Sequence, residues 1–394
     1  MNFTTNKERR YKNTFLRAKT IQFIQSGDHF FKKLILLIQH AKESIQIQTF
    51  IFDDQETGQE IAAALMAATK RKVAVDLVVD AFGSRHLSNH FINSLKEAGI
   101  QFRFFSPISI FKNLNIGRRL HHKVAVFDGK YALVGGINLA NKYRGTSTIE
   151  PWLDFAVLIH GNVCQKLKDI CFRIEEKSFS LIDQTKKLIS NSKDPYDISI
   201  RQNDWLRNKK QIFQSYILAI QKAETSITIF GSYFLPGLKL RMALEQAAKR
   251  GVKIQIVLAG KSDIPLLLNA TYYLYSWLHK HKIKVFEWNK SVLHAKLAVI
   301  DEQWMTIGSF NLNHLSKYAS IELNVDILNT TFVTHVSTHL NGLIKNDCEE
   351  ILSTRARNLS TKIRELFAYF LGRTLIKAVT FFPNFRNIYS KLVD

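Results

Sequence analysis

The residues best equipped for chemistry occur in two copies of one pattern. His121-His122-Lys123-Val-Ala-Val-Phe-Asp128 is followed after six residues by Gly135-Gly136-Ile137-Asn138, and His294-Ala295-Lys296-Leu-Ala-Val-Ile-Asp301 is followed after six by Gly308-Ser309-Phe310-Asn311. Five fixed residue types at fixed offsets arise by chance at on the order of one starting position in a million. Two such matches in one chain rule out coincidence. On a strand, residues two apart point the same way, so each motif presents an imidazole beside an ammonium while His122 or Ala295 faces away. That pairing suits a phosphodiester. A cation holds the non-bridging oxygens, and an imidazole, which titrates near neutrality, either attacks phosphorus or protonates the departing oxygen. One phosphorus must be attacked on one side and released on the other, so two such strands brought together supply both functions.

Around this pair, Gly136 and Ser309 would let the backbone approach the phosphate, with Asn138 and Asn311 as neutral hydrogen-bond donors to its oxygens. Asp128 and Asp301 complete the motifs and count with them as catalytic candidates. Because they end their strands and by alternation need not face the phosphate, they are read as structural anchors. His335 and His339 have i,i+4 spacing but lack the intervening Glu and a third ligand, so no metal site is expected.

The elements that position these residues are themselves duplicated. Ala41-Lys-Glu-Ser-Ile-Gln-Ile47 recurs as Ala223-Glu-Thr-Ser-Ile-Thr-Ile229, and Leu65-Met-Ala-Ala-Thr-Lys-Arg-Lys-Val73 as Leu244-Glu-Gln-Ala-Ala-Lys-Arg-Gly-Val252. Each Ala-rich helical stretch runs into an apolar strand, Val73 to Val79 and Val252 to Leu258, and a third strand pair, Ile100 to Phe105 and Ile283 to Trp288, keeps the order. Strands alternating with helices predict an α/β unit made twice. At 394 residues the chain accommodates two such units. The boundary is expected near Ser190 to Asn208, which gives domains at 1–195 and 196–350 and a basic, apolar helical segment at 351–394.

With 55 Lys+Arg against 33 Asp+Glu, the net charge of +22 attracts polyanions, whether nucleic acid or an anionic membrane. Arg118 and Arg119 are candidates to line an anionic site, with a solvated surface as the alternative. Three scattered cysteines, Cys164, Cys171 and Cys348, suit a reducing compartment and no disulfide framework. The N-terminus has no apolar core of signal-peptide length. The most apolar stretch, Leu366 to Phe382, is interrupted by Arg373 and Lys377, which suits an interfacial helix better than a membrane span.

The paired His-x-Lys-x4-Asp-x6-Gly-Gly/Ser-x-x-Asn elements resemble the double motif of the phospholipase D superfamily over most of the chain. Gln48-Thr-Phe-Ile-Phe-Asp53, Pro151-Trp-Leu-Asp154, Lys261-Ser-Asp-Ile-Pro265 and Tyr272-Tyr-Leu-Tyr275 further resemble its bacterial cardiolipin synthase branch, in the short form without N-terminal membrane spans. The resemblance implies two tandem α/β/α sandwich domains related by a pseudo-twofold axis, with the active site at their interface. It also implies a cofactor-free, metal-independent ping-pong reaction in which one histidine becomes a phosphohistidine and the other is acid, then base. By family analogy His121 is the nucleophile and His294 the acid, although sequence symmetry alone does not assign them. Asp154 and Glu322 match the carboxylates that the family places against its catalytic imidazoles. Asn313 departs from the pattern, since relatives often carry Asp two residues after the asparagine.

The implied substrates are phospholipids, phosphatidylglycerol or similar, taken from an anionic membrane at the inner face of the cell membrane, with no obligate protein partner. A lipid hydrolase or a nuclease of the same superfamily is the competing reading. A non-enzymatic scaffold fits poorly with two intact motifs.

Overall fold

The computed structural model describes residues 14–107, 118–174, 194–204, 207, 209–313, 316–317, 320–352 and 358–381. Residues 175–193, which lead into the expected domain boundary, and the end of the expected C-terminal segment lie outside the described residues.

One sheet has seven strands in the order Thr20–Gln25, Phe155–His160, Tyr131–Gly135, Lys123–Phe127, Ser44–Thr49, Ala74–Asp80 and Gln101–Phe105. The other repeats that order with Tyr196–Asp204, Ser320–Leu328, Trp304–Gly308, Lys296–Ile300, Ser226–Gly231, Lys253–Ala259 and Lys284–Trp288, and adds Leu16–Ala18 and Cys348–Glu350 at its edges. The duplication read from the sequence is therefore a duplication of topology, and the two motif strands, Lys123–Phe127 and Lys296–Ile300, hold equivalent places. In each half three strands run parallel, Ser44–Thr49 beside Ala74–Asp80 beside Gln101–Phe105 and their counterparts, which requires helical crossovers between them. The crossover Glu56–Lys70 buries Ile61, Leu65 and Ala68, one stripe at helical spacing laid on the sheet.

The two sheets pack face to face. Val124, Val126 and Phe155 of one meet Phe230, Val257 and Leu297 of the other, with the rings of Phe155 and Phe230 5.8 Å apart edge to face. Helices Val163–Phe172 and Thr330–Asp347 complete this middle layer, and the remaining faces carry separate outer cores. Each sheet thus has helices on both sides, the α/β/α arrangement expected.

The halves also exchange backbone pairing. Arg119–Leu120 runs parallel to Ser320–Ile321 of the second sheet, and Leu153 bridges Leu293 in the equivalent way. Leu16–Ala18, from the start of the chain, pairs with Tyr196–Asp204 of the second sheet. Arg118 and Arg119 do not line an open anionic site. Arg118 donates to buried Asp204 and Arg119 to buried Asp80, and Asp80 also accepts the Leu120 N–H, which fixes the segment leading into His121.

Helix Leu359–Phe381 packs on Pro265–Tyr272, with Tyr369 and Tyr273 rings 4.5 Å apart and a Cβ at Gly372 brought within van der Waals reach of Leu267 and Ala270. Its other side leaves Ile363, Phe367 and Phe370 more than half exposed. Among the described residues no helix is long and apolar enough to cross a membrane.

Candidate active site

The pairing between halves decides how the site is built. His121 donates its backbone N–H to Ile321 O, one residue before Glu322, and His294 donates its own to Leu153 O, one residue before Asp154. Each imidazole is thereby set against a carboxylate of the opposite half. His121 Nδ1 lies 2.9 Å from Glu322 Oε2, and His294 Nδ1 lies 2.6 Å from Asp154 Oδ2. A carboxylate accepts, so His121 Nδ1 carries the proton and its Nε2 lone pair is left for chemistry; His294 Nδ1 donates to Asp154 in the same way, with Lys296 Nζ crowding that nitrogen at 2.8 Å. Lys123 and Lys296 share the faces of their histidines, and each donates to the carbonyl of the histidine two residues earlier. Lys296 Nζ also stands 3.8 Å from Asp154 Oδ2.

The small residues of the motif have a reason the sequence reading did not supply. A Cβ at Gly136 would fall 2.3 Å from Asp154 Oδ1, so glycine there makes room for the carboxylate that holds His294. At the equivalent position Ser309 uses its hydroxyl to donate to Glu322 Oε2.

The asparagines are turned inward. Asn138 Oδ1 accepts from Ile51 N, while its amide donates to Tyr143 OH; Asn311 Oδ1 accepts from Ser232 Oγ. Asn313, the departure from the pattern, accepts from Ser316 N.

Asp128 and Asp301 are not part of this cluster. Each sits in the tight turn after its motif strand at φ near 50°, a left-handed conformation Asp tolerates. Asp128 accepts the backbone N–H groups of Lys42, Glu43 and Ser44, and Asp301 those of Glu224, Thr225 and Ser226. They tie the motif hairpin to the start of the neighbouring parallel strand. Asp128→Ala is expected to cost about 1–3 kcal/mol of stability, the scale of leaving such donors unpaired, while turnover per folded molecule stays close to wild type. Chemical denaturation alongside an active-site-normalised assay checks both.

A family described as "Cardiolipin synthase, PLD-like domain" matches residues 34–149 and 216–344, one segment for each half of this geometry. The chain belongs to this family.

Among curated proteins, it is 30% identical over 353 residues to cardiolipin synthase B of Shigella flexneri and to that of Escherichia coli (strain K12), in each case covering 87% of this chain and 84% of the relative. Among solved structures, phosphatidylserine synthase of Haemophilus influenzae Rd KW20 superposes with a TM-score of 0.76 at 15% identity, covering 95% of this chain and 98% of that one, and so shares the fold.

In this phospholipase D-like site, burial dominates the electrostatics. It drags the Lys123 ammonium down to about 7 and that of Lys296 to about 8, against the pull of Glu322 and Asp154. Burial also lowers both imidazoles, His294 well below its ordinary value with Lys296, Lys123 and His121 adding to the effect, and raises the Asp154 carboxyl to about 7 against the opposing Lys296. Because groups of each half contribute to the shifts in the other, the four basic side chains form one cluster.

Several neighbours escaped the sequence reading. Phe50 lays its ring edge-on to His121 at 5.1 Å, while Tyr143, Trp152 and Tyr233 surround His294. Lys142 caps the Trp152 ring at 4.2 Å. His122, between the motif residues, bonds Gln48 Oε1 and, with burial pushing it down to about 3, stays neutral. Cys164 and Cys171 are buried thiols, and His339 bonds Gln25.

Proposed function

We propose that this chain transfers the phosphatidyl group of one phospholipid to an alcohol on phosphatidylglycerol or a similar acceptor, making cardiolipin or a related phospholipid. The observation that carries the reading is the crossed pair of imidazoles, each with Nδ1 held by a carboxylate of the other half and Nε2 directed to chemistry. His121 Nε2 attacks phosphorus, and His294, carrying a second proton on Nε2 once the phosphodiester anion is bound, gives that proton to the departing alcohol oxygen. The acceptor alcohol then yields its proton to His294 and attacks the phosphohistidine, restoring both rings. Lys123 and Lys296 neutralise the non-bridging oxygens. Two imidazoles account for every proton moved, so no cofactor or metal is needed.

The lipid is presented at a membrane surface. The exposed Ile363, Phe367 and Phe370, flanked by Lys362 and Arg364 on a chain of net charge +22, suit the anionic inner face of the cell membrane. Helix Pro265–Tyr272, on which this helix packs, begins just after Asp263, which accepts from Tyr233 beside His294. This chain of contacts from the exposed helix to Tyr233 supports a membrane-facing active site.

Phosphatidylglycerol vesicles in chelator are expected to yield cardiolipin plus glycerol by mass spectrometry, with the protein co-sedimenting unless Phe367 and Phe370 are changed to Asp. Phosphatidic acid alone would make the enzyme a hydrolase. DNA cut in a parallel digest, with lipid untouched, would make it a nuclease.

A further inference from the structure

The two halves place equivalent histidines in unequal surroundings, and one side chain, Tyr143, reaches the reactive nitrogen of His294. Tyr143 is fully buried on the short helix Asn141–Arg144, with its hydroxyl 3.3 Å from His294 Nε2, the nitrogen opposite the one held by Asp154. Asn138 fixes the direction of that contact. Its Oδ1 is occupied by the Ile51 N–H at 3.0 Å, so its amide nitrogen faces Tyr143 and donates to the phenol oxygen at 2.7 Å. The phenol oxygen already receives a proton there, and its own hydrogen is free to point at His294 Nε2. Burial holds the phenol pKa well above its ordinary value, so that hydrogen stays in place.

Among the described residues the second half shows no equivalent. Five residues after Asn311 stands Ser316, whose hydroxyl accepts from the Asn311 backbone N–H. Among the described residues no side chain hydrogen-bonds His121 Nε2, and the apolar ring of Phe50 stands at 5.1 Å from the imidazole.

We infer that Tyr143, oriented by Asn138, is a positioning residue that commits His294 to proton transfer and leaves His121 as the histidine whose lone pair attacks phosphorus. A lone pair that accepts a phenol hydrogen bond is withheld from phosphorus. The same contact serves a proton carrier in both states. The phenol donates to neutral Nε2 and, by rotating its hydrogen, offers the oxygen as acceptor once Nε2 is protonated. No bond is made to Tyr143, and the leaving-group proton comes from His294 alone.

The inference rests on the phosphohistidine reading above and has its own test. Tyr143→Phe keeps the ring packed between Trp152 and His294 and removes only the hydroxyl. With phosphatidylglycerol, whose leaving alcohol needs a proton, kcat is expected to fall at least about 10-fold and the acidic limb of the rate profile to move. With phosphatidyl-p-nitrophenol, whose leaving group departs as the anion, the p-nitrophenol burst should stay within about twofold of wild type, because His121 attack is untouched. Equal losses on both donors, or none on either, would overturn the assignment. A second arm needs no turnover. The ¹⁵N resonance of His294 Nε2 should shift in Tyr143→Phe, and an unchanged resonance would remove the contact on which the inference depends. Wild-type protein that turns over no phosphodiester would instead sink the parent reading, a result this arm keeps separate.

Discussion

His121→Ala and His294→Ala are each expected to lower phosphatidyl transfer by at least about 10⁴-fold, and the double variant to be little worse than either single, because residues that act as a unit are not additive. The two rings are fixed by separate carboxylates, Glu322 and Asp154, so losing one leaves the other in place but without its complement. Attack without a proton for the leaving alkoxide stalls at the first step, and a proton donor without a nucleophile has nothing to release. Neither ring holds the core together, since the middle layer is built from Val124, Val126, Leu297, Val299 and their partners. Circular dichroism and thermal melting should therefore be close to wild type, which separates lost chemistry from lost fold. More than about 1% residual turnover in either variant would be incompatible with a two-imidazole mechanism of this size.

Much of this site is legible in the sequence because its key offsets are local. His and Lys two apart must share a strand face, and the Ala-rich helices running into Val73 and Val252 carry their own periodicity. The observed strands Ala74–Asp80 and Lys253–Ala259 fall within a residue of that reading. The crossing was hidden for the opposite reason. That Glu322 serves His121 and Asp154 serves His294 follows from pairing Leu120 with Ile321 and Leu153 with Leu293, contacts between residues 201 and 140 positions apart for which no local pattern exists. A glycine permits close backbone contact generally, so in the sequence Gly136 reads as room for a phosphate. Only the position of Asp154 shows which neighbour needs the space. Arg118 and Arg119 look alike in the sequence whether solvated or paired, and it is Asp204 and Asp80, brought in by tertiary packing, that use their charge.

Asp154→Asn and Glu322→Gln test the crossing directly, and each is expected to cost about 10²–10⁴ in kcat by the logic of carboxylates that orient a catalytic imidazole. An amide can turn its NH₂ toward Nδ1, which favours the tautomer with the proton on Nε2 and hides the lone pair that chemistry requires. The two variants should fail at different steps. Glu322→Gln misdirects His121 and removes the acceptor for the Ser309 hydroxyl, so it should form no phosphoenzyme even from phosphatidyl-p-nitrophenol. Asp154→Asn misdirects His294 and discharges the group beside Lys296, yet leaves His121 and Glu322 intact. It should therefore release p-nitrophenol in a burst and accumulate the phosphohistidine, because the acceptor alcohol now lacks its base. If each carboxylate served the histidine of its own half, the two phenotypes would be exchanged, and quenched-flow detection of the phosphoenzyme distinguishes the cases in a single turnover.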